Sequence, residues 1–254
     1  MSSHYILPKI PFLIHKYIDV IEDESVPTSV ISNSLSRYLY EIKEKIETRD
    51  KEWDIYKKYT NPYEYLDSQI PYKKKSISKG KPLSRSYYKM IEIIQTFKLV
   101  TESQPIHSFH LAEGPGGFIE ALASTRKNPD DVYIGMTLLD DVNDHNIPGW
   151  KKTQQFLKQN PNVYIEGGVD NTGNMLSTDN LLGCHNSYAS SIDFITADGG
   201  FDFSVDFNKQ EQMAFRLIFS QIAFAITMQK RGGSFILKVF DIFLQSTVEL
   251  IYFL

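Results

Sequence analysis

The stretch His107–Phe118, HSFHLAEGPGGF, decides the fold. The apolar run Phe109 to Leu111 reads as a strand, and Phe118-Ile119-Glu120-Ala121-Leu122-Ala123 begins a helix. Between them stands Glu113-Gly114-Pro115-Gly116-Gly117. A strand, a glycine-rich turn and a helix N-terminus, in that order, commonly open an α/β nucleotide-type site. Glycines permit positive φ and let a ligand approach bare backbone. The helix start offers unpaired N–H groups and a partial positive charge. GPGG is not GxGxxG, and Pro115 removes an N–H that a diphosphate cradle would use. The turn therefore predicts a small adenosine-type cofactor rather than a dinucleotide.

Downstream, strands and helices alternate. Asp131 to Leu138, DVYIGMTL, predicts a second strand, and Trp150 to Gln159 a short helix or turn. Val163-Tyr164-Ile165 predicts a third strand, running into Glu166-Gly167-Gly168-Val169-Asp170. Ser191 to Ala197 predicts a fourth, ending at Asp198-Gly199-Gly200. A long apolar helix follows from Asn208 to Lys230, with Asp206 as its expected cap and Gly232-Gly233 as its stop. Ser234 to Val239, SFILKV, predicts a fifth strand, and Phe243 to Leu254 starts another helix. This alternation implies an α/β fold with a mostly parallel sheet covered on both faces.

Upstream, residues 1–32 are broken by Pro8, Pro11 and Pro27 and read as an irregular arm. Ser34 to Tyr59 predicts an amphipathic helix with Leu35, Leu39, Ile42, Ile46 and Trp53 on its apolar face, interrupted near Thr48. Tyr72 to Arg85 holds Lys73, Lys74, Lys75, Lys79, Lys81 and Arg85, the one strongly basic stretch. It reads either as a solvated linker or as a phosphate-contacting loop with Tyr72, Tyr87 and Tyr88 available for stacking. A helix from Tyr87 to Lys98 follows and carries Lys89. Two parts are expected: an arm and helical extension over 1–75, and the α/β domain over 76–254.

Composition bounds the rest. The 254 residues are 42% hydrophobic and carry a net charge of −4, so nucleic-acid contact requires a local patch. The single cysteine, Cys184, excludes an intrachain disulfide and a cysteine-based zinc site. A reducing compartment fits, and the N-terminus has no secretory pattern, so a cytoplasmic or nuclear location is expected. No apolar run reaches the roughly 18 residues of a membrane span. The six histidines show no HxxxH or HExxH spacing, so no metal is expected.

Ligands on parallel sheets bind at the carboxyl ends of strands. Glu113, Asp170, Asp198 and Lys238 all fall at or near such ends. Lys238 interrupts FILKVF, where an unpaired ammonium would be costly, and Asp198 is its expected partner.

The motifs SRSYYKMIEI, LAEGPGGF, GMTL, EGGVDNTGN, DFITADGG and GGSFILKVFD, taken together, resemble those of the FtsJ-type RNA ribose 2′-O-methyltransferases. The branch that methylates the first nucleotide beside the mRNA cap is the most similar. The resemblance covers roughly residues 80 to 254. It implies a Rossmann-like S-adenosylmethionine-dependent methyltransferase fold and an RNA substrate, expected to be the capped 5′ end of mRNA. A Lys-Asp-Lys-Glu tetrad is also implied. Its first three members fall on Lys89, Asp198 and Lys238, and its glutamate falls beyond Leu254. The domain is therefore expected to be C-terminally incomplete, without its last strands. Lys238 would steer or deprotonate the 2′-OH, Asp198 would orient Lys238, and Lys89 would position the ribose. Glu113, Gly114, Pro115, Gly116, Gly117, Phe118, Asp170 and Asp198 would contact the cofactor, with Asp170 facing the adenine amino group. RNA would pass the basic stretch from Lys73 to Arg85. One departure is His110, which stands where the family often has an acidic residue. The alternatives are a ribosomal or transfer RNA methyltransferase, a non-catalytic cofactor- or RNA-binding relative, and an oxidoreductase, which would need the missing GxGxxG.

Overall fold

The strands are short runs in which apolar residues mix with polar ones, and every pairing among the described strands is parallel. The structure, a computed structural model, describes residues 5–8, 30–49, 52–53, 55–56, 60, 65–66, 69, 76–101, 103–139, 149–200 and 209–254. In chain order the elements are α1 (Asn33–Glu47), α2 (Ser86–Phe97), β1 (His107–Leu111), α3 (Gly117–Arg126), β2 (Val132–Met136), α4 (Gln154–Gln159) and β3 (Val163–Glu166). They continue with α5 (Thr178–Tyr188), β4 (Ile192–Ala197), α6 (Gln210–Met228), β5 (Gln229–Leu237) and α7 (Gln245–Phe253). Among the described residues the sheet order is β3-β2-β1-β4-β5. The order reverses between β1 and β4, which opens a crevice at their carboxyl ends.

Period-two alternation divides the core. Phe109, Leu111, Ile134, Met136, Ile195 and Ala197 join one apolar cluster with Cys184 of α5 and Phe224, Ala225 and Met228 of α6. Tyr133 and Phe194 point the other way, into a cluster with Met90 and Ile94 of α2 and Phe118, Ile119 and Leu122 of α3. Helices thus cover both faces, as expected of a sheet whose strands are buried on both sides.

Two expectations change, and a third concerns a residue outside the described ones. The long helix stops at Met228, and Gly232-Gly233 lie inside β5, where the register with β4 shifts between Ile192 and Phe194. Fitting the extra residues into that irregularity brings Lys230 Nζ within 2.9 Å of Asp193 Oδ1. The proposed cap Asp206 lies outside the described residues, and α6 starts after Lys209 with no side-chain cap. Finally, the apolar side of α1 does not face inward. Leu35 and Ile42 are exposed, whereas Ser36 is buried. The helix expected beyond Thr48 lies largely outside the described residues.

At the amino end of the sheet, Arg126 and Asp131 form a buried pair, with Nε–Oδ2 at 2.5 Å and Nη2–Oδ1 at 2.8 Å. Burial would raise the Asp131 pKa, but Arg126, the Tyr133 hydroxyl at 2.7 Å and the Ile106 N–H at 2.9 Å hold it below the usual carboxylate range. Removing one partner strands a buried charge. Asp131→Ala is expected to cost about 3–5 kcal/mol in urea unfolding. Asp130→Ala, at an exposed neighbour, should stay within about 0.5 kcal/mol.

Candidate active site

The parallel register assembles the site. Ala197 of β4 pairs with Leu111 of β1 and with Leu237 of β5. The next residue of β4 is Asp198, and the next residue of β5 is Lys238, whose N–H donates to the Ala197 carbonyl at 2.9 Å. The two side chains therefore leave adjacent strands at the same edge. Lys238 Nζ lies 3.1 Å from Asp198 Oδ1 and donates to the Asp198 main-chain carbonyl at 3.0 Å. The first turn of α2 supplies the second cation, with Lys89 Nζ donating to Asp198 Oδ2 at 2.7 Å. Lys89 Nζ also stands 5.9 Å from the centre of the Phe118 ring, and Lys238 Nζ 4.6 Å from that of Phe240.

Stability does not explain this arrangement. The Lys89 side chain is 54% exposed and that of Lys238 34%, against 16% for Asp198. Pairs this exposed contribute roughly 0–1 kcal/mol. Moreover, Asp198 Oδ1 is buried and, among the described residues, receives no aligned donor. Such an acceptor can take a hydrogen bond from a ligand.

Behind it, Gly199 N–H donates to Gln221 Oε1 at 3.0 Å, which fixes the turn after β4. Gln221 is wholly buried in α6, and its Nε2 donates to the Leu217 carbonyl. Its sequence signal is a polar side chain inside an apolar helix.

The glycine turn and the helix start behind it are held by protein contacts. Its leading amides are already taken: Glu113 Oε1 accepts Phe118 N–H at 2.7 Å and Ile119 N–H at 3.2 Å. Glu113 is buried, and burial pushes its carboxyl up to about 8 against the lowering effect of those two N–H groups. Asp198 raises it further and Lys89 lowers it. The glycines admit protein. A Cβ on Gly117 would lie 2.2 Å from Ser84 Oγ and 2.3 Å from Ser86 Oγ, so the loop before α2 can close onto α3 only over glycine. Gly116 adopts φ +106°, and Gly114 lies against Gly149 and Thr137. The Pro115 carbonyl accepts the Thr153 hydroxyl at 2.6 Å.

The remaining candidates make local contacts of their own. Asp170 is exposed, and its Oδ1 accepts Thr172 Oγ1 at 2.7 Å, Thr172 N–H at 2.9 Å and Asn180 Nδ2 at 2.9 Å. These bonds, Thr172 first, hold its carboxyl below the usual range and tie it into its own loop. Lys79, Lys81 and Arg85 are exposed on the segment leading into α2, whereas Lys73, Lys74 and Lys75 lie outside the described residues. His110 is a core residue. Its Nδ1 bonds Thr196 Oγ1 at 2.8 Å and its Nε2 bonds Ser108 Oγ at 2.9 Å, and burial lowers its pKa to about 3.

Residues 82–254 match the family described as FtsJ-like methyltransferase. The chain belongs to the FtsJ-like methyltransferase family. It is 30% identical over 232 residues to cap-specific mRNA (nucleoside-2′-O-)-methyltransferase 2 of Danio rerio, covering 87% of this chain and 31% of the relative. It is 31% identical over 158 residues to cap-specific mRNA (nucleoside-2′-O-)-methyltransferase 1 of Homo sapiens, covering 60% of this chain and 18% of the relative. The chain spans less than a third of the length of these relatives. A solved structure described as a ribosomal RNA methyltransferase from Plasmodium falciparum overlays with a TM-score of 0.46 at 21% identity, over 67% of this chain and 84% of its own. Among the described residues of this FtsJ-like methyltransferase, no helix is long and apolar enough to cross a membrane.

The Glu113 carboxyl gives a signed pH dependence. Its folded pKa lies above its ordinary value of 4.5. The stability it contributes is full below that value and declines as pH rises through about 8. The melting temperature of the wild type, relative to Glu113→Gln, should fall between about pH 6 and pH 9. A constant difference across that range would contradict the assignment.

Proposed function

We propose that this protein transfers a methyl group from S-adenosylmethionine to a ribose 2′-OH of RNA. The cap-adjacent nucleotide of mRNA, met in the cytoplasm or nucleus, is the proposed substrate. One observation carries this reading: Asp198 holds Lys89 and Lys238 together at the carboxyl edge of the sheet, beside the crevice between β1 and β4. Family membership supports the reaction class, and the names of the relatives support the cap.

The residues present fit such a donor. Glu113 occupies the leading amides of α3, so a diphosphate would find no free N–H groups on Phe118 and Ile119. This favours an adenosine-type donor over a dinucleotide. The chemistry that bound S-adenosylmethionine supplies is an electrophilic methyl on a sulfonium.

The chain's own side chains handle the acceptor. As the neutral amine, Lys238 accepts or shares the hydroxyl proton, making the 2′-oxygen a better nucleophile. Asp198 sets the position of the Lys238 amine from the adjoining strand end. Lys89, anchored on the other carboxylate oxygen, directs positive charge at the ribose oxygen as negative charge develops. Holding hydroxyl and donor in line contributes up to about 7–11 kcal/mol in favourable cases. RNA runs past Lys79, Lys81 and Arg85 toward Lys89, which follows them in the chain. Glu113 and Phe118 line the donor side of the turn, with Gly114, Pro115, Gly116 and Gly117. Asp170 marks the adenine end.

The test uses full-length protein, labelled S-adenosylmethionine and capped RNA bearing either a 2′-OH or a 2′-deoxy first nucleotide. Transfer should require the hydroxyl. Lys238→Ala should lower it by at least about a hundredfold while calorimetry shows donor binding retained. Equal loss of transfer and binding would make Lys238 a structural residue.

A further inference from the structure

Helix α1 lies outside the segment that matches the family, yet it docks onto the chain that leaves Lys238. Ile31 N–H donates to the Phe243 carbonyl at 2.9 Å, and Val30 forms an antiparallel bridge with Leu244. The Tyr40 ring meets Phe243 edge-on, with centroids 6.4 Å apart. Lys43 Nζ lies 2.6 Å from Asp241 Oδ2, and only 21% and 22% of these two side chains is exposed. The docking face of α1 is mixed. Ser36, Leu39, Tyr40 and Lys43 turn inward, whereas Leu35, Tyr38 and Ile42 remain exposed. A charged side chain thus stands on the docking face, while two of the helix's apolar residues stay outside it.

The segment reached by α1 is short. Past Leu237 the chain has left the β5 ladder, and its amides need other acceptors. Glu211 of α6 takes two of them, Phe243 N–H at 3.1 Å and Leu244 N–H at 2.8 Å. Within the segment, Phe240 places its ring 4.6 Å from Lys238 Nζ. Asp241 follows Phe240 directly, so whatever fixes Asp241 also restrains the ring. Glu211 holds the far end of the segment, and Lys43 holds its middle.

We infer that α1 is a positioning brace for Lys238: the Lys43–Asp241 pair fixes the segment that carries Phe240 against the Lys238 amine. This rests on the proposal that Lys238 acts on the ribose hydroxyl. A mostly buried ion pair is a poor device for stability, since desolvation offsets most of its attraction. It is directional, however, and it joins two segments 198 residues apart. Lys43 and Asp241 are positioning residues that act through Phe240 and the backbone, and neither touches the proposed reacting atoms.

The experiment compares wild type, Lys43→Glu and the charge-swapped Lys43→Glu/Asp241→Lys in the full-length protein. Methyl transfer to capped RNA and amide exchange over residues 239–244 are both measured. Lys43→Glu should lower kcat roughly tenfold, leave the KM for S-adenosylmethionine unchanged and speed exchange over 239–244. The swap should restore kcat and protection together. Unchanged kcat in Lys43→Glu overturns the inference, as does a loss that the swap fails to restore. Should Lys43→Glu not fold, Asp241→Asn removes the charge at constant shape and is judged by the same two readouts. If the wild type transfers no methyl group, the proposed function fails, and exchange alone decides on the brace: faster exchange upholds it and unchanged exchange refutes it.

Discussion

Ala197 pairs with Leu111 on one side and with Leu237 on the other, and the site follows from that register. Because the ladder is parallel, the residues after each strand leave in the same direction. Asp198 and Lys238 become neighbours without any loop having to bring them together. A one-residue slip of β5 would turn Lys238 toward the opposite face. A slip would also carry Phe235 and Leu237 away from the core cluster they pack against, and Ile236 away from the one on the opposite face. Core packing and site geometry are thus set by the same constraint.

Helix α2 adds what the strands cannot. It rests on α3, and the close approach of Ser84 and Ser86 to Gly117 sets how near it comes. Lys89 reaches Asp198 from the first turn of that helix. The glycine turn therefore positions a cation by letting two protein segments meet. Glu113 serves the same end by capping α3 from within, so the helix needs no ligand to satisfy its leading amides. Gln221 completes the frame by holding the turn that carries Asp198.

Much of this was readable in the residues. The strands were visible as short apolar runs alternating with helical segments, and Lys238 stood out as a charge in one of those runs. Its partner followed from the rule that parallel strands share a functional edge. Other features depend on tertiary contacts that periodicity does not encode. Gly232-Gly233 looks like a helix stop but lies in an irregular strand, because pairing with β4 begins at Gln229, before the glycines, and resumes at Ser234, after them. His110 stands where the family often has an acidic residue, but it bonds Ser108 and Thr196 within the core. The outward Leu35 and Ile42 of α1 suggest an inward apolar stripe, whereas Lys43 and Tyr40 make its contacts. The pairing of Lys43 with Asp241 spans nearly the whole chain, beyond the reach of any local pattern.

The proposed chemistry depends on one carboxylate that organises two amines for methyl transfer. Asp198→Asn keeps the shape of that side chain and removes its charge. Single-turnover methyl transfer at saturating S-adenosylmethionine and capped RNA measures the consequence directly. The rate should fall by roughly 10²- to 10³-fold, with the unfolding midpoint close to that of the wild type. A variant that transfers methyl groups at nearly the wild-type rate would contradict the account.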